Sequence, residues 1–214
     1  MQGERTGDTT TTSATTTDPG GASSSRGEPS SSRRSAEDWL LAGLESLSEE
    51  GVSGLRTERL AKRLGLTTGS FYWHFRGRSD FERRLLVHWE RHLTRQLIEE
   101  MARDAGSPVE RLHATFARVQ REGLARYETP VRAWSLVEPR AARAVAKVDA
   151  LRLDHVAALL LELGLAPDDV EMRARTLLFS AIAEPSCVVS DSDEDRARWL
   201  RMRIGLVTGS ELPE

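Results

Sequence analysis

The sequence has one cysteine, Cys187, in 214 residues. A single thiol excludes an intrachain disulfide and suits a reducing cytosol. Its place near a helix end reads as inert packing rather than redox chemistry. No apolar run approaches the roughly 20 residues of a membrane span, and the amino terminus lacks the apolar core of a signal peptide. These absences predict a cytoplasmic protein with no membrane partner. Period-2 alternation is missing too, and so are internal repeats, which argues against strands. Without strands there is no strand-borne glycine-rich phosphate loop, and nothing sets a nucleophile beside a base and its orienter. No enzyme activity, cofactor or metal is therefore expected. Aromatic residues are scarce, at 6% of the chain, yet the stretch LTTGSFYWHF at 66–75 holds four of them besides His74.

What is present suits a soluble chain with a sizeable core: 39% hydrophobic and 29% charged residues, with a net charge of −3. That balance excludes a general polyanion binder, but the charge is uneven. From Gly54 to Arg84 eight Lys/Arg face three Asp/Glu, so 8 − 3 = +5, whereas DSDED at 191–195 is acidic. A basic patch beside aromatics fits nucleic acid. Residues 1–34 are rich in Ser, Thr and Gly and hold too few large apolar side chains to offset ordering entropy. They read as a disordered, solvated tail, with Arg26, Arg33 and Arg34 available as a basic arm.

Beyond the tail the pattern is helical, and the fold class is all-α. Ser35–Asp38 resembles a capping box, followed by a stripe of Trp39, Leu40, Gly43, Leu44 and Leu47 that Gly51 ends. Thr57 opens a second helix with Leu60, Ala61 and Leu64 inward, broken by Gly65. Thr67 or Thr68 opens a third, to about Phe75. Ser79–Glu82 reads as another capping box, opening a long helix to about Arg103. Ser107-Pro108 with Glu110, Thr129-Pro130, Pro139 and Pro167 each begin a further helix. The last spans about 193–208.

Helices at 35–50, 57–64 and 67–75, joined by tight glycine turns, follow the helix-turn-helix plan, in which the later helix of the pair enters the DNA major groove. At 100° per residue, with Phe71 at 0°, Phe75 falls at about 40° while Gly69 and Trp73 fall at about 160° and 200°. One face thus carries two Phe for a core. The other offers a bare backbone at Gly69, hydroxyls at Thr68 and Ser70, and the amphipathic rings of Tyr72 and Trp73 for base edges. Thr57, Thr67, His74 and Arg78 stand at helix ends, where phosphates bind.

Residues 54–85, GLRTERLAKRLGLTTGSFYWHFRGRSDFERRL, resemble the TetR family of bacterial transcriptional regulators. The shared pattern is Thr57, Leu60-Ala61, Leu64-Gly65, Gly69, Tyr72 and His74-Phe75, then a basic residue opening the fourth helix; Arg78 stands where the family usually has Lys. The resemblance covers about residues 35–90. It implies groove contacts by Thr68, Ser70, Tyr72 and Trp73, with Gly69 between them, and phosphate contacts by Thr57, Thr67, His74 and Arg78. It also implies a DNA-binding domain at 35–78 and a helical ligand-binding and dimerisation domain at 79–214. The expected protein is a homodimeric repressor on an inverted-repeat operator, released by a small-molecule effector. A regulator without a ligand and a metal-responsive helical regulator are the alternatives.

In the second domain Phe116, Tyr127, Arg132 and Trp134 are the candidate pocket residues. Val170, Ala174, Leu177 and Ala181, with Trp199, Met202 and Leu206, are the candidate dimer interface. Asp149 and Arg152 are expected to pair across one helical turn. His88 and His92 share a helix face at metal-ligand spacing, but a third ligand would have to come from afar, from His113 or His155. They read as ordinary polar-face histidines.

Overall fold

The computed structural model describes residues 35–187 and 191–210. The expected tail at 1–34, with its three arginines, lies outside the described residues. Ten α-helices follow in order: α1 (Ala36–Glu50), α2 (Thr57–Leu64), α3 (Thr68–Phe71), α4 (Arg78–Glu90), α5 (Gln96–Met101), α6 (Pro108–Arg121), α7 (Glu128–Ser135), α8 (Pro139–Glu162), α9 (Pro167–Ala183) and α10 (Asp193–Thr208). No strand occurs among the described residues, and no helix is long and apolar enough to cross a membrane. The fold class is all-α, as the periodicity predicts.

Local chemistry explains most boundaries. Ser35 and Asp38 cap α1 reciprocally, Ser35 N–H donating to Asp38 Oδ2 at 2.6 Å and Asp38 N–H to Ser35 Oγ at 3.2 Å. Ser107 and Glu110 do the same for α6. The Ser79–Glu82 box does not form. Helix α4 starts one residue earlier, at Arg78. Arg140 of α8 donates to Ser79 Oγ at 2.7 Å and to Glu82 Oε2 at 3.1 Å. A guanidinium reaching across from another helix outcompetes the local cap, because a charge-assisted bond is the stronger one. Between α4 and α5 the chain continues through a π-helical turn, Arg91–Arg95.

Two apolar clusters make the interior. The first joins α1–α4 to Tyr127, Val131 and Trp134 and to Ala141, Val145 and Val148 at the start of α8. The second joins α6, α9 and α10 to Val156, Leu159 and Leu160 at the end of α8. The 24-residue α8 therefore spans both clusters. Its apolar positions take alternate partners along its length, which is why its sequence reads as apolar on most sides.

The expected interface on α9 needs correction. Val170, Ala174 and Leu177 face inward and pack within their own chain, Leu177 being fully buried. Their spacing of three and four residues marks a buried stripe, and a stripe alone does not say which chain buries it. Leu177→Ala should cost about 2–5 kcal/mol of stability through the cavity it leaves. Denaturant unfolding of the intact chain measures this, and a cost below about 0.5 kcal/mol would contradict the packing.

Candidate nucleic-acid interface

Helix α2 ends on Gly65 in the left-handed region, φ 67°. Leu66 N–H donates to Ala61 O at 2.9 Å and Gly65 N–H to Lys62 O at 3.2 Å. This paired closure needs a residue free to adopt positive φ, and it turns the chain within two residues. Helix α3 then starts at Thr68 and is only four residues long, shorter than the predicted 67–75. Past Phe71, Tyr72 N–H turns back to Gly69 O and His74 N–H to Phe71 O, so the turn tightens to three-residue bonds. One helical turn has no stability of its own. It is held by its aromatic side: Phe71 meets Trp39 at 5.4 Å, Phe75 at 4.9 Å and Phe81 at 5.4 Å between ring centroids, and Phe75 meets Phe81 at 5.0 Å.

The opposite side is bare. Trp73 is 87% exposed and Tyr72 64%, against 1% for Phe71. The hydroxyls of Thr57, Thr67 and Thr68 take no hydrogen bond among the described residues, whereas Ser70 Oγ donates to Thr67 O at 2.6 Å. Gly69 is informative by what surrounds it. A Cβ there would meet only Thr67 Oγ1, at 3.7 Å, and its φ is not positive. Neither packing nor backbone geometry within the chain requires glycine at this position, although glycine in a helix costs about 0.5–1 kcal/mol relative to alanine. What its bare backbone does offer is close approach from outside.

Charge around this face is more restrained than the count of +5 implies. Arg59 pairs with Glu50, Arg63 with Glu49 and Arg83 with Asp80. Asp80 is held below the usual carboxylate range by the Arg83 bond and by the Arg76 N–H. Arg78, a predicted phosphate contact, donates to Glu82 at 2.7 Å. Arg84 lies over the Phe75 ring and donates to the carbonyl of His74, whose ring is half-buried. Among the described residues, Arg56, Lys62, Arg76 and Arg84 are the cations of this stretch that join no ion pair, and of these Arg84 is held by the Phe75 ring and the His74 carbonyl. The Arg78 and Arg83 pairs lie within α4 and follow from spacing, whereas Arg59 and Arg63 find their acids only because α1 lies beside α2.

The candidate pocket residues separate. Phe116 lines a cavity of about 70 Å³ with Thr94, Glu128, Arg152, His155 and Leu178. Tyr127 instead edges a different cleft, of about 190 Å³, and its hydroxyl bonds Glu45. Trp134 is core. Arg132 grips Asp149 through two bonds of 2.9 and 2.5 Å. Burial opposes the charge of Arg132, but Asp149 and Glu128 outweigh it and raise its pKa. The expected Asp149–Arg152 pair is thus replaced: Arg152 donates to Glu128 Oε1 at 2.7 Å and to Thr94 Oγ1 at 3.1 Å. Packing of α7 on α8 supplies partners that spacing along α8 cannot reveal.

Of the interface candidates, Trp199, Met202 and Leu206 point outward, at 42%, 53% and 79% exposure, and Ala181 is half-buried beside the cavity. Met172 and Phe179 of α9 are exposed as well. They sit seven residues apart, about 200° from the Val170 stripe, and that second stripe was readable in the sequence.

A short aromatic-backed helix after a glycine turn, with its polar and aromatic side open, defines a helix-turn-helix protein. Residues 40–82 match the profile of bacterial regulatory proteins of the tetR family. It is 34% identical over 86 residues to the transcriptional regulator AcuR of Cereibacter sphaeroides, a match covering 40% of this chain and 39% of AcuR. It is 51% identical over 37 residues to the class A tetracycline repressor protein from transposon 1721 of Escherichia coli, covering 17% of each. Both matches span well under two thirds of these relatives. The fold extends further. A transcriptional regulator from Rhodococcus sp. Rha1 superposes with a TM-score of 0.63 at 21% identity, over 85% of this chain and 100% of that one. Salmonella enterica GusR does so with a TM-score of 0.64 at 17% identity, over 81% and 93%.

The two sides of α3 should respond oppositely to truncation. Phe71→Ala should lower stability by about 3–5 kcal/mol, and Trp73→Ala by no more than about 0.5 kcal/mol. Equal losses in urea unfolding would show that Trp73 is part of the core.

Proposed function

We propose that the chain is a DNA-binding transcriptional repressor that holds an inverted-repeat operator as a homodimer and is released by a small-molecule effector. The observation that carries the DNA-binding reading is the outer face of α3. An indole and a phenol stand in solvent beside a glycine that the fold itself does not need. Thr68, Ser70, Tyr72 and Trp73 read base edges there, and Gly69 admits the groove wall. Thr57, Thr67 and His74 contact phosphates, with Arg56, Lys62 and Arg76 as cations in no ion pair. Arg78 joins them by exchanging Glu82 for a phosphate.

Operator titration with the intact protein tests this. Trp73→Ala and Tyr72→Ala should each weaken operator binding by about 1–3 kcal/mol at unchanged helicity. Arg76→Ala should weaken specific and non-specific DNA alike and lower the log–log salt slope by about one. Full affinity in both aromatic variants would refute the assignment.

Dimerisation is supported by the outward stripe on α9 and α10: Met172, Phe179, Trp199, Met202 and Leu206. Exposed apolar side chains gathered on adjoining helices are what an isologous four-helix contact buries. Two such chains carry two α3 helices, suited to half-sites about 34–36 Å apart or a multiple of that. Leu206→Arg, at an exposed position, should leave the fold intact and convert a dimer to a monomer with loss of operator affinity. Sedimentation decides, and a wild-type monomer at micromolar concentration would sink the dimer.

Effector release is supported by the cavity beneath α6, apolar except for Thr94, Thr115, Glu128, Arg152 and His155. At about 70 Å³ it falls short of the roughly 300 Å³ of drug-sized sites. A ligand of that size must therefore part the surrounding helices, and a movement of α8 reaches α4 through Arg140. Ligand that favours the parted state shifts the population away from the DNA-binding one.

A further inference from the structure

The histidine pair set aside for want of a third ligand acquires one in the fold. Glu37, in the first turn of α1, reaches His88 near the end of α4 and His92 in the π-helical turn that follows it. One ligand atom from each of the three lies within 4.8 Å of the others. His92 Nε2 is 3.7 Å from Glu37 Oε1, and the two imidazoles are 4.0 Å apart between centroids. We propose that Glu37, His88 and His92 form a binding site for a divalent transition-metal cation, zinc being the ion that fits best.

The independent observation is His88. It is 93% buried, and its Nε2 has no hydrogen-bond partner among the described residues. Buried polar nitrogens are almost always satisfied, and a metal ion would satisfy this one. Two imidazoles and one carboxylate are a borderline-soft set, matched to zinc and its neighbours; magnesium and calcium prefer all-oxygen shells. Tetrahedral bonds of about 2.1 Å put ligand atoms about 3.4 Å apart, and the exposed Glu37 side chain is free to close the difference. His88 and His92 also line the 190 Å³ cleft, which leaves room for a water or another donor in a fourth position. The π-helical turn begins at Arg91 and contains His92; such turns gather at functional sites. A bound ion would fasten the start of α1 to α4.

The test uses the full chain, stripped with chelator, and needs no DNA. Zinc in competition with a chromogenic chelator of micromolar affinity should saturate at about one equivalent and raise the melting temperature. Cobalt should give tetrahedral d–d bands with no thiolate charge-transfer band. His92→Ala should weaken zinc binding by more than about 100-fold, beyond what loss of an outer-shell partner costs, and Glu37→Gln by about tenfold or more. Both substitutions lie at the solvent edge, so folding, checked by circular dichroism, survives even where His88→Ala fails to fold. His113→Ala and Cys187→Ser should bind as the parent does. Failure of the parent to compete, parental affinity in His92→Ala or Glu37→Gln, or loss in either control variant would overturn the site.

Discussion

A four-residue helix cannot hold its own direction, and the geometry of the open face depends on what holds α3. Nucleating a turn fixes several dihedrals for one or two hydrogen bonds, so α3 exists only as a packed element. The aromatic knot of Trp39, Phe71, Phe75 and Phe81 supplies that packing, in tilted and edge-to-face contacts that a quadrupole favours. Because Trp39 belongs to α1 and Phe81 to α4, the knot ties three helices together at once. Its other consequence is outward. Turning Phe71 and Phe75 inward commits Gly69 and Trp73 to the far side, with no further interaction needed to expose them.

Around this knot the ionic contacts set relative placement rather than bulk stability. Arg140 links α8 to Ser79 and Glu82 at the start of α4, while Arg132, Asp149, Glu128 and Arg152 join α7 to α8 and line the cavity in part. Such pairs contribute little net energy when intact, but losing one partner strands a half-buried charge. They therefore penalise intermediate arrangements of α4, α7 and α8 and leave a small number of satisfied ones. That is the property required of an element through which a cavity could influence a distant helix.

Legibility in the sequence followed the range of the interactions. Helix starts at Ser35, Ser107, Pro139 and Pro167, and the turn at Gly65, were readable because caps and left-handed glycines act over three or four residues. The inward Phe71 and Phe75 and outward Tyr72 and Trp73 were readable because helical periodicity survives even in one turn. The length of α3 was not, since it ends where Phe75 must turn back into a core built by other helices. Nor were the partners of Asp149 and Arg152, which come from α7 and the turn after α4, or the loss of the Ser79 cap to Arg140 of α8.

By itself the sequence determined the all-α class, the helix-turn-helix segment and the chemical character of its open face, because each rests on local periodicity and short-range hydrogen bonding. Only the tertiary structure decided which apolar stripe of α9 is core and which is surface, which cations near α3 stay unpaired, and that Glu37 stands beside His88 and His92. Those outcomes depend on which helices become neighbours. Burial and charge pairing are properties of that neighbourhood, not of position along the chain.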